Sequence, residues 1–314
     1  MTPACPLRYR YGAAAIAQAP EYAAQTLYVI GGLYGNRPAL DAIEAMAQTE
    51  TGPVKLCFNG DFNWFNIDDE GFREINQRVL RHSAILGNVE AELGEASDEA
   101  GCGCAYPESV DPDIVRRSNQ IHALLKRAAS RHPELIKSLQ GLPMSMRWRV
   151  GELRIGVVHG DAESLAGWRF DAACLDDPAE HAWRAECFAH ANVDVFASTH
   201  TCLPALRRFD SADKDAGERA IINNGAAGMP NFSHGQFGVL TRIAVQASPH
   251  PSLYGQTIHG VHIDALAVAY DHQHWLTDFL LNWPPGSPAW QSYFKRISEG
   301  PEYSLTQAFR LAHP

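Results

Sequence analysis

Four side chains of ligand type each follow a short apolar run: Asp61 after Asn59 and Gly60, Asn88 after Gly87, His159 after Val157 and Val158, and His200 after Ser198 and Thr199. A carboxylate, an amide oxygen and two imidazoles form a donor set that suits a divalent Mn, Fe or Zn ion. Such an ion polarises a substrate oxygen and lowers the pKa of a bound water. Taken singly, each residue has a commoner use. Aspartate after glycine at a strand end is more often an Asx turn or helix cap, and asparagine after glycine more often a left-handed turn. The run into His159 is the most informative. Apolar residues lead to an imidazole and then to Gly160, where backbone can approach whatever the histidine holds.

The elements that must position these residues are legible in outline. Residues 26–30 and 54–58 read as short buried strands, 84–86 as the lead into Gly87, and 146–150 with 153–158 as a hairpin turning at Gly151 and Glu152. Further strands are expected at 193–196, 220–222, 237–245 and 265–270, and helices at 71–82 and 178–191. The glycine-rich loop 31–36 precedes a helix with Pro38 in its first turn, but it lacks the Walker lysine and the full dinucleotide fingerprint. Segment 91–143 changes character. An acidic stretch leads to Cys102, Gly103 and Cys104, then to a helix opened by Asp111 and Pro112 with Ile114, Val115, Ile121, Leu124, Leu125 and Ala128 on its apolar face. It reads as a helical insertion in a single domain spanning 1–314, and 272–314 as a helical tail broken at Pro284, Pro285 and Gly286. Cys57 reads as core, His122 as structural or solvated, and His181 and His190 as solvated.

Bulk properties narrow the function classes. Hydrophobic residues make up 46% and charged residues 20% of 314, the balance of an ordinary soluble globular chain. A formal net charge of -10 argues against bulk nucleic-acid binding, which needs a basic footprint. A small phosphorylated substrate stays open, because a bound metal reverses the local field. No apolar run approaches the ~20 residues that span a bilayer, and the first ten residues lack a leader pattern, so a cytoplasmic protein without a membrane partner is expected. Seven scattered cysteines argue against a disulfide framework. The Cys102 and Cys104 pair reads first as a tight loop with buried thiols, and second as metal ligands.

Set in order along the chain, strand-Gly-Asp, strand-Gly-Asn, strand-His-Gly, strand-Thr-His and the loop Asn223, Asn224, Gly225, Ala226, Ala227, Gly228, Met229, Pro230 resemble the calcineurin-like metallophosphoesterases, above all their compact bacterial and archaeal members. The resemblance runs from about Leu27 into the tail. It implies an α/β fold, a four-layer α-β-β-α sandwich of two mixed sheets, with a two-metal site at the strand ends. It also implies that Asp61 bridges both ions, Asn88 and His159 hold the second, and His200 holds the first. Three departures accompany it. The aspartate and histidine of the first motif are Gly32 and Tyr34, the histidine that assists phosphoryl chemistry is Val89, and the first histidine of the last motif is Ser198. The catalytic residue is therefore unassigned. One divalent ion held by Asp61, Asn88, His159 and His200 is expected rather than two. Glu90, Asp161 and a Tyr34 phenolate are further candidate ligands. Gly32, Tyr34, Asn36, Glu90, Ser198 and Asn224 are expected to shape a pocket for substrate. Two functional readings follow: a divergent phosphoesterase that hydrolyses a phosphate mono- or diester with metal-activated water, or a catalytically weak or inactive relative that binds a phosphorylated ligand or a protein partner in the same pocket.

Overall fold

The structure is a computed structural model and describes residues 6–210 and 217–310. Cys5 and the last residues of the tail lie outside the described residues. Among the described residues, twelve strands form two sheets. In chain order they are β1 (Glu21–Ala24), β2 (Thr26–Ile30), β3 (Val54–Phe58), β4 (Ser83–Ala84), β5 (Ser145–Val150), β6 (Leu153–Val158), β7 (Val195–Ser198), β8 (Ala205–Asp210), β9 (Glu218–Asn223), β10 (Gly238–Ala244), β11 (Ser252–Ile258) and β12 (Val261–Val268). One sheet has the order β1-β5-β6-β7-β9-β8 and the other β11-β12-β10-β2-β3-β4. Both are mixed: β6, β7 and β9 run parallel at the centre of the first, and β2, β3 and β4 run parallel out to one edge of the second.

Side-chain alternation explains the layering. Leu27, Val29 and Cys57 point to one face of their sheet and meet Ile155, Val157, Val195 and Ile222 of the other, so the two sheets pack face to face. Tyr28, Ile30, Leu56 and Phe58 point the opposite way, into a core shared with helices. Val158, Phe196 and Ile221 do the same on the far sheet, against the helix His181–Ala191. Every residue of β2 is buried because both of its faces are covered. The result is the four-layer α-β-β-α sandwich that the resemblance implies.

The helix Pro112–Ala129 is capped by Asp111, whose carboxylate accepts from the Asp113 N–H at 2.8 Å. Its Ile121, Leu125 and Ala129 enter the same core as Trp275, Phe279 and Trp283 of the tail, together with Ile297 on the helix Pro288–Glu299. The segment after Ala91 and the tail thus join the helices Arg37–Gln48 and Asp69–Val79 in the helical layer on the outer face of the β2 sheet.

Three strands carry no clear pattern in the sequence. β1 is a largely exposed edge strand, β11 is an edge strand with Gly255 in it, and β8 buries Ala205, Leu206 and Arg207 in succession without alternation. β12 begins at Val261 because His259 and Gly260 both adopt positive φ (48° and 75°) and turn the chain back on β11. The helix expected at 71–82 spans Asp69–Val79, starting early because Asp68 caps it through the Gly71 N–H at 2.7 Å. The helix expected at 178–191 is a short 3-10 turn, Pro178–Glu180, followed by His181–Ala191.

Candidate metal centre and its cleft

The loops that leave β3 and β4 touch so closely that glycine is required on both. A Cβ on Gly60 would lie 2.5 Å from the Gly87 backbone, and one on Gly87 would lie 2.2 Å from Asp61 Oδ1. Gly60 and Asp61 both have positive φ (83° and 54°), which turns the Asp61 carboxylate back toward the strand ends. Glu90 fixes this turn: Oε2 accepts from the Asp61 N–H at 2.8 Å and Oε1 from the Asn63 N–H at 3.2 Å. Asp61 Oδ1 accepts from the Val89 N–H at 3.1 Å.

Four donor atoms then converge. Asn88 Oδ1 lies 3.0 Å, His200 Nδ1 3.2 Å and Asp61 Oδ2 3.4 Å from His159 Nε2. Hydrogen bonding on the far side of each group decides which atom faces inward. His159 Nδ1 donates to the Asn59 carbonyl at 2.8 Å, and His200 Nε2 donates to the Cys104 carbonyl at 3.1 Å. Asn88 Nδ2 donates to the Cys102 carbonyl at 2.8 Å. With those hydrogens committed to backbone, the rings when neutral and the amide turn lone pairs toward one another and toward a carboxylate. Such an arrangement repels itself unless a cation or a proton sits within it. Donor atoms ~2.0–2.1 Å from one ion stand roughly 3.0–3.4 Å apart in octahedral or tetrahedral geometry, which is the separation of the other three donors from His159 Nε2, and the Asp61, His159 and His200 atoms all lie within 4.8 Å of one another. The donor set therefore suits a divalent metal ion. Backbone carbonyls anchoring the far nitrogens are the usual outer support of such ligands.

Charge follows the same geometry. Burial, reinforced by the nearby His159, pulls His200 down to about 3, which keeps it neutral and able to ligate. Burial opposes the charged forms of both Asp61 and His159, but their mutual attraction outweighs it, so Asp61 lies below and His159 above its ordinary range. Burial and then the Asp61 carboxylate push Glu90 up to about 7.

The other candidates take different places. A Cβ on Gly32 would lie 2.2 Å from Tyr34 Cζ, so the tyrosine ring occupies the room that a side chain at 32 would need. The Tyr34 hydroxyl is 2.9 Å from Cys202 Sγ, and burial followed by this neighbour raises the phenol well above its ordinary value. Tyr34 thus lines the cleft with its hydroxyl turned to Cys202. Asn36 caps the helix Arg37–Gln48 and donates to the Gly228 carbonyl at 3.0 Å. Asp161 accepts from the N–H groups of Glu163, Ser164 and Arg169 and organises its own loop. Ser198 closes β7, buried, with no hydroxyl partner among the described residues. Asn224 donates its N–H to the Ser198 carbonyl at 2.6 Å and accepts from Thr241 Oγ1 at 2.6 Å. Gly32, Asn36, Glu90, Ser198 and Asn224 thus stand behind the cleft surface, and Tyr34 lies on it. His122 is buried, with Nε2 3.1 Å from the Val89 carbonyl.

Cys102 and Cys104 are joined by a disulfide, which corrects the expectation of two buried thiols. The two Cα atoms are 5.4 Å apart, with Gly103 between them at φ 68°. The loop's carbonyls hold Asn88, His200 and the Trp168 indole, so it bears directly on the site without lending it a sulfur ligand.

The donor cluster opens into a cleft of about 440 Å³. Several of its lining residues have no sequence signature: Trp64, Tyr106, Arg117, Trp168, Tyr293 and Arg296. They come from loops, the segment after Ala91 and the tail. One signal was available. Arg117 falls in the apolar stripe of its helix between Ile114 and Ile121, where a charge calls for an explanation.

Neither a protein-family model nor a curated protein sequence matches the chain. Solved structures do. A metallophosphoesterase from Sphaerobacter thermophilus superposes with a TM-score of 0.56 at 17% identity, covering 88% of this chain and 100% of that one. A hypothetical protein from Pyrococcus horikoshii OT3 gives 0.58 at 15% identity, covering 88% and 99%. At such identities the likeness is one of fold, and the chain has the calcineurin-like metallophosphoesterase fold. It carries a candidate metal site of Asp61, His159 and His200 at the strand ends. Among the described residues no helix is long and apolar enough to cross a membrane.

Proposed function

We propose that this protein is a phosphoesterase that uses a single divalent ion, Mn, Fe or Zn, to hydrolyse a mono- or diester of a small phosphorylated substrate. The observation that carries the reading is the inward convergence of Asp61 Oδ2, Asn88 Oδ1, His159 Nε2 and His200 Nδ1, with every far-side hydrogen committed elsewhere. When bound, the ion supplies Lewis acidity to a phosphoryl oxygen and to the attacking water. The chain's own part is positional. The carbonyls of Asn59, Cys102 and Cys104 orient the three nitrogen- and amide-bearing ligands, the Val89 N–H and Glu90 set the carboxylate, and the cleft admits the ester from one side.

A second reading, a binder of phosphorylated ligands with weak or no catalysis, is favoured by Val89. It offers an apolar wall where the resemblance implies a proton donor. One experiment separates the two. Elemental analysis of the purified protein supplied with Mn, Fe or Zn is paired with hydrolysis of p-nitrophenyl phosphate and bis(p-nitrophenyl) phosphate, and both are repeated with His159→Ala. One ion per chain with metal-dependent turnover, lost in the variant, supports the enzyme. One ion without turnover supports the binder. No stoichiometric ion in the wild type ends the single-metal reading.

A further inference from the structure

Beyond the donor cluster, the cleft has two features that the hydrolysis of a bare phosphate ester would not require. The first is a pair of arginines without a carboxylate. Arg117 gives its Nε to Ser292 Oγ at 2.7 Å, and neither of its terminal nitrogens has a partner among the described residues. Arg296 donates to the carbonyls of Pro230 at 3.3 Å and Cys202 at 2.7 Å, all neutral acceptors. The chain holds 36 acidic and 26 basic residues, so a carboxylate is the easiest partner for any arginine to find. Two left without one in the same cleft keep guanidinium charge for an incoming anion. Their placement is built, not incidental. Arg296 is tied to Cys202, two residues past His200, and Arg117 is tied to the tail helix that carries Arg296.

The second feature is a set of ring faces with their polar heads tied back. The Tyr106 hydroxyl is 2.9 Å from Ser118 Oγ, and the Trp168 indole donates to the Cys104 carbonyl at 3.0 Å. The two rings lean together at 5.8 Å between centroids, and Trp168 stands edge-on to His200 at 5.2 Å. The aromatic wall thus begins at the metal cluster. Anchored aromatic faces in a cleft near cationic side chains recognise flat, delocalised rings attached to anions.

We infer that the cleft takes a phosphate ester whose alcohol carries a planar ring, with the dimensions of a nucleoside monophosphate. The phosphoryl group lies at the donor cluster and Arg117 and Arg296, and the ring lies against Tyr106 and Trp168. A volume of about 440 Å³ falls in the range that holds a ligand of that size. The placement of the phosphoryl group rests on the phosphoesterase reading, whereas the ring preference does not.

The test is equilibrium binding by calorimetry with Mn²⁺ supplied, using adenosine 5′-monophosphate, ribose 5-phosphate and inorganic phosphate as probes. The nucleotide is expected to bind at least about tenfold tighter than ribose 5-phosphate. Tyr106→Leu is expected to bring the nucleotide down to the sugar phosphate's level, and Arg117→Met to weaken both by a similar factor of about ten. Because Trp168 also supports the Cys104 loop, Tyr106 is the variant that tests the ring without disturbing the ligands. Equal affinity for the nucleotide and ribose 5-phosphate, or no change in Tyr106→Leu, overturns the inference. Hydrolysis is scored separately. Nucleotide binding without turnover of any ester removes the phosphoesterase reading and leaves this inference standing, and turnover of p-nitrophenyl phosphate with no nucleotide preference does the reverse.

Discussion

Two groups of buried charge lie at opposite ends of β3, and they are completed differently. Before the strand begins, Glu50 meets Arg242 in a bidentate pair, with Nε to Oε1 at 2.6 Å and Nη2 to Oε2 at 3.0 Å, and both side chains are almost inaccessible. Tyr28 adds a hydrogen bond to the same carboxylate at 2.7 Å, and the Gln246 carbonyl takes a further guanidinium hydrogen at 2.8 Å. Every charge there has its opposite. After the strand ends, Asp61 faces two imidazoles and an amide oxygen, with Glu90 close behind. Among the described residues no lysine or arginine forms an ion pair with Asp61 or Glu90. The first group is complete with protein alone. The second is arranged around something the chain does not supply. Buried charge of the first kind holds a fold together, and buried charge of the second kind marks a site.

The largest expected effect breaks the second group. Asp61→Asn leaves a side chain of the same shape but removes the only full negative charge among the four donors. Metal-dependent hydrolysis should fall by more than about a hundredfold, and elemental analysis should find the ion gone. Stability in the absence of metal should change by no more than about 1 kcal/mol, because the lost attraction to His159 is offset by relief from burying a carboxylate. A metal-free Tm that drops by as much as that of a core variant would show that Asp61 is structural, and the contrast between the two ends would disappear.

The opposite pattern is expected at the other end. Glu50→Gln leaves the buried Arg242 guanidinium with only the Asp264 carboxylate at 3.7 Å as an opposite charge, which costs up to about 3 kcal/mol, less than a fully uncompensated buried charge would. Urea unfolding measures it, and metal content should stay at the wild-type level. The pH dependence follows from direction. Burial works to raise the Glu50 carboxyl, but its hydrogen bonds with Arg242 and Tyr28 outweigh that and hold it below its ordinary value of 4.5. A carboxylate lowered on folding stabilises fully above the unfolded value and loses that contribution as the pH falls through the folded one. The stability gap between wild type and Glu50→Gln should therefore be widest above about pH 4.5 and close below it. A gap independent of pH would mean that the ion pair is not what Glu50 contributes.

What the sequence revealed differs between the two regions for a physical reason. Asp61, Asn88, His159 and His200 follow strand ends, and parallel strands in register bring their ends level, so strand order alone suffices to suggest that they meet. β2, β3, β5 and β6 were readable because their apolar periods are short and bounded by turn residues. Nothing local marks the Glu50–Arg242 pair, whose members are 192 positions apart. Nor does anything local mark Arg296 or Trp168, whose roles depend on where a tail helix and a loop come to rest. The disulfide escaped for a related reason: spacing cannot tell a tight thiol loop from a closed one.

The smallest expected effect concerns the corner where the resemblance and the chain part. A Cβ at Gly32 would come within 2.2 Å of the Tyr34 ring and 2.4 Å of its hydroxyl, so Gly32→Asp cannot be accommodated unless the ring moves and its contact with Cys202 is given up. Overpacking of this kind costs about 1–3 kcal/mol. If the ring and the missing side chain compete for one space, the cost should shrink to less than about half in a Tyr34→Ala background, a coupling of roughly 1 kcal/mol in a double-mutant cycle. Chemical denaturation of the four proteins measures it. An equal penalty in both backgrounds would show that Gly32 is required for another reason, such as its N–H bond to Thr199 Oγ1 at 3.2 Å or the approach of the Gly228 N–H to its carbonyl at 3.0 Å. The aromatic filling of that corner would then be incidental. A clear coupling would show instead that the Tyr34 ring fills the space that a side chain at position 32 would need.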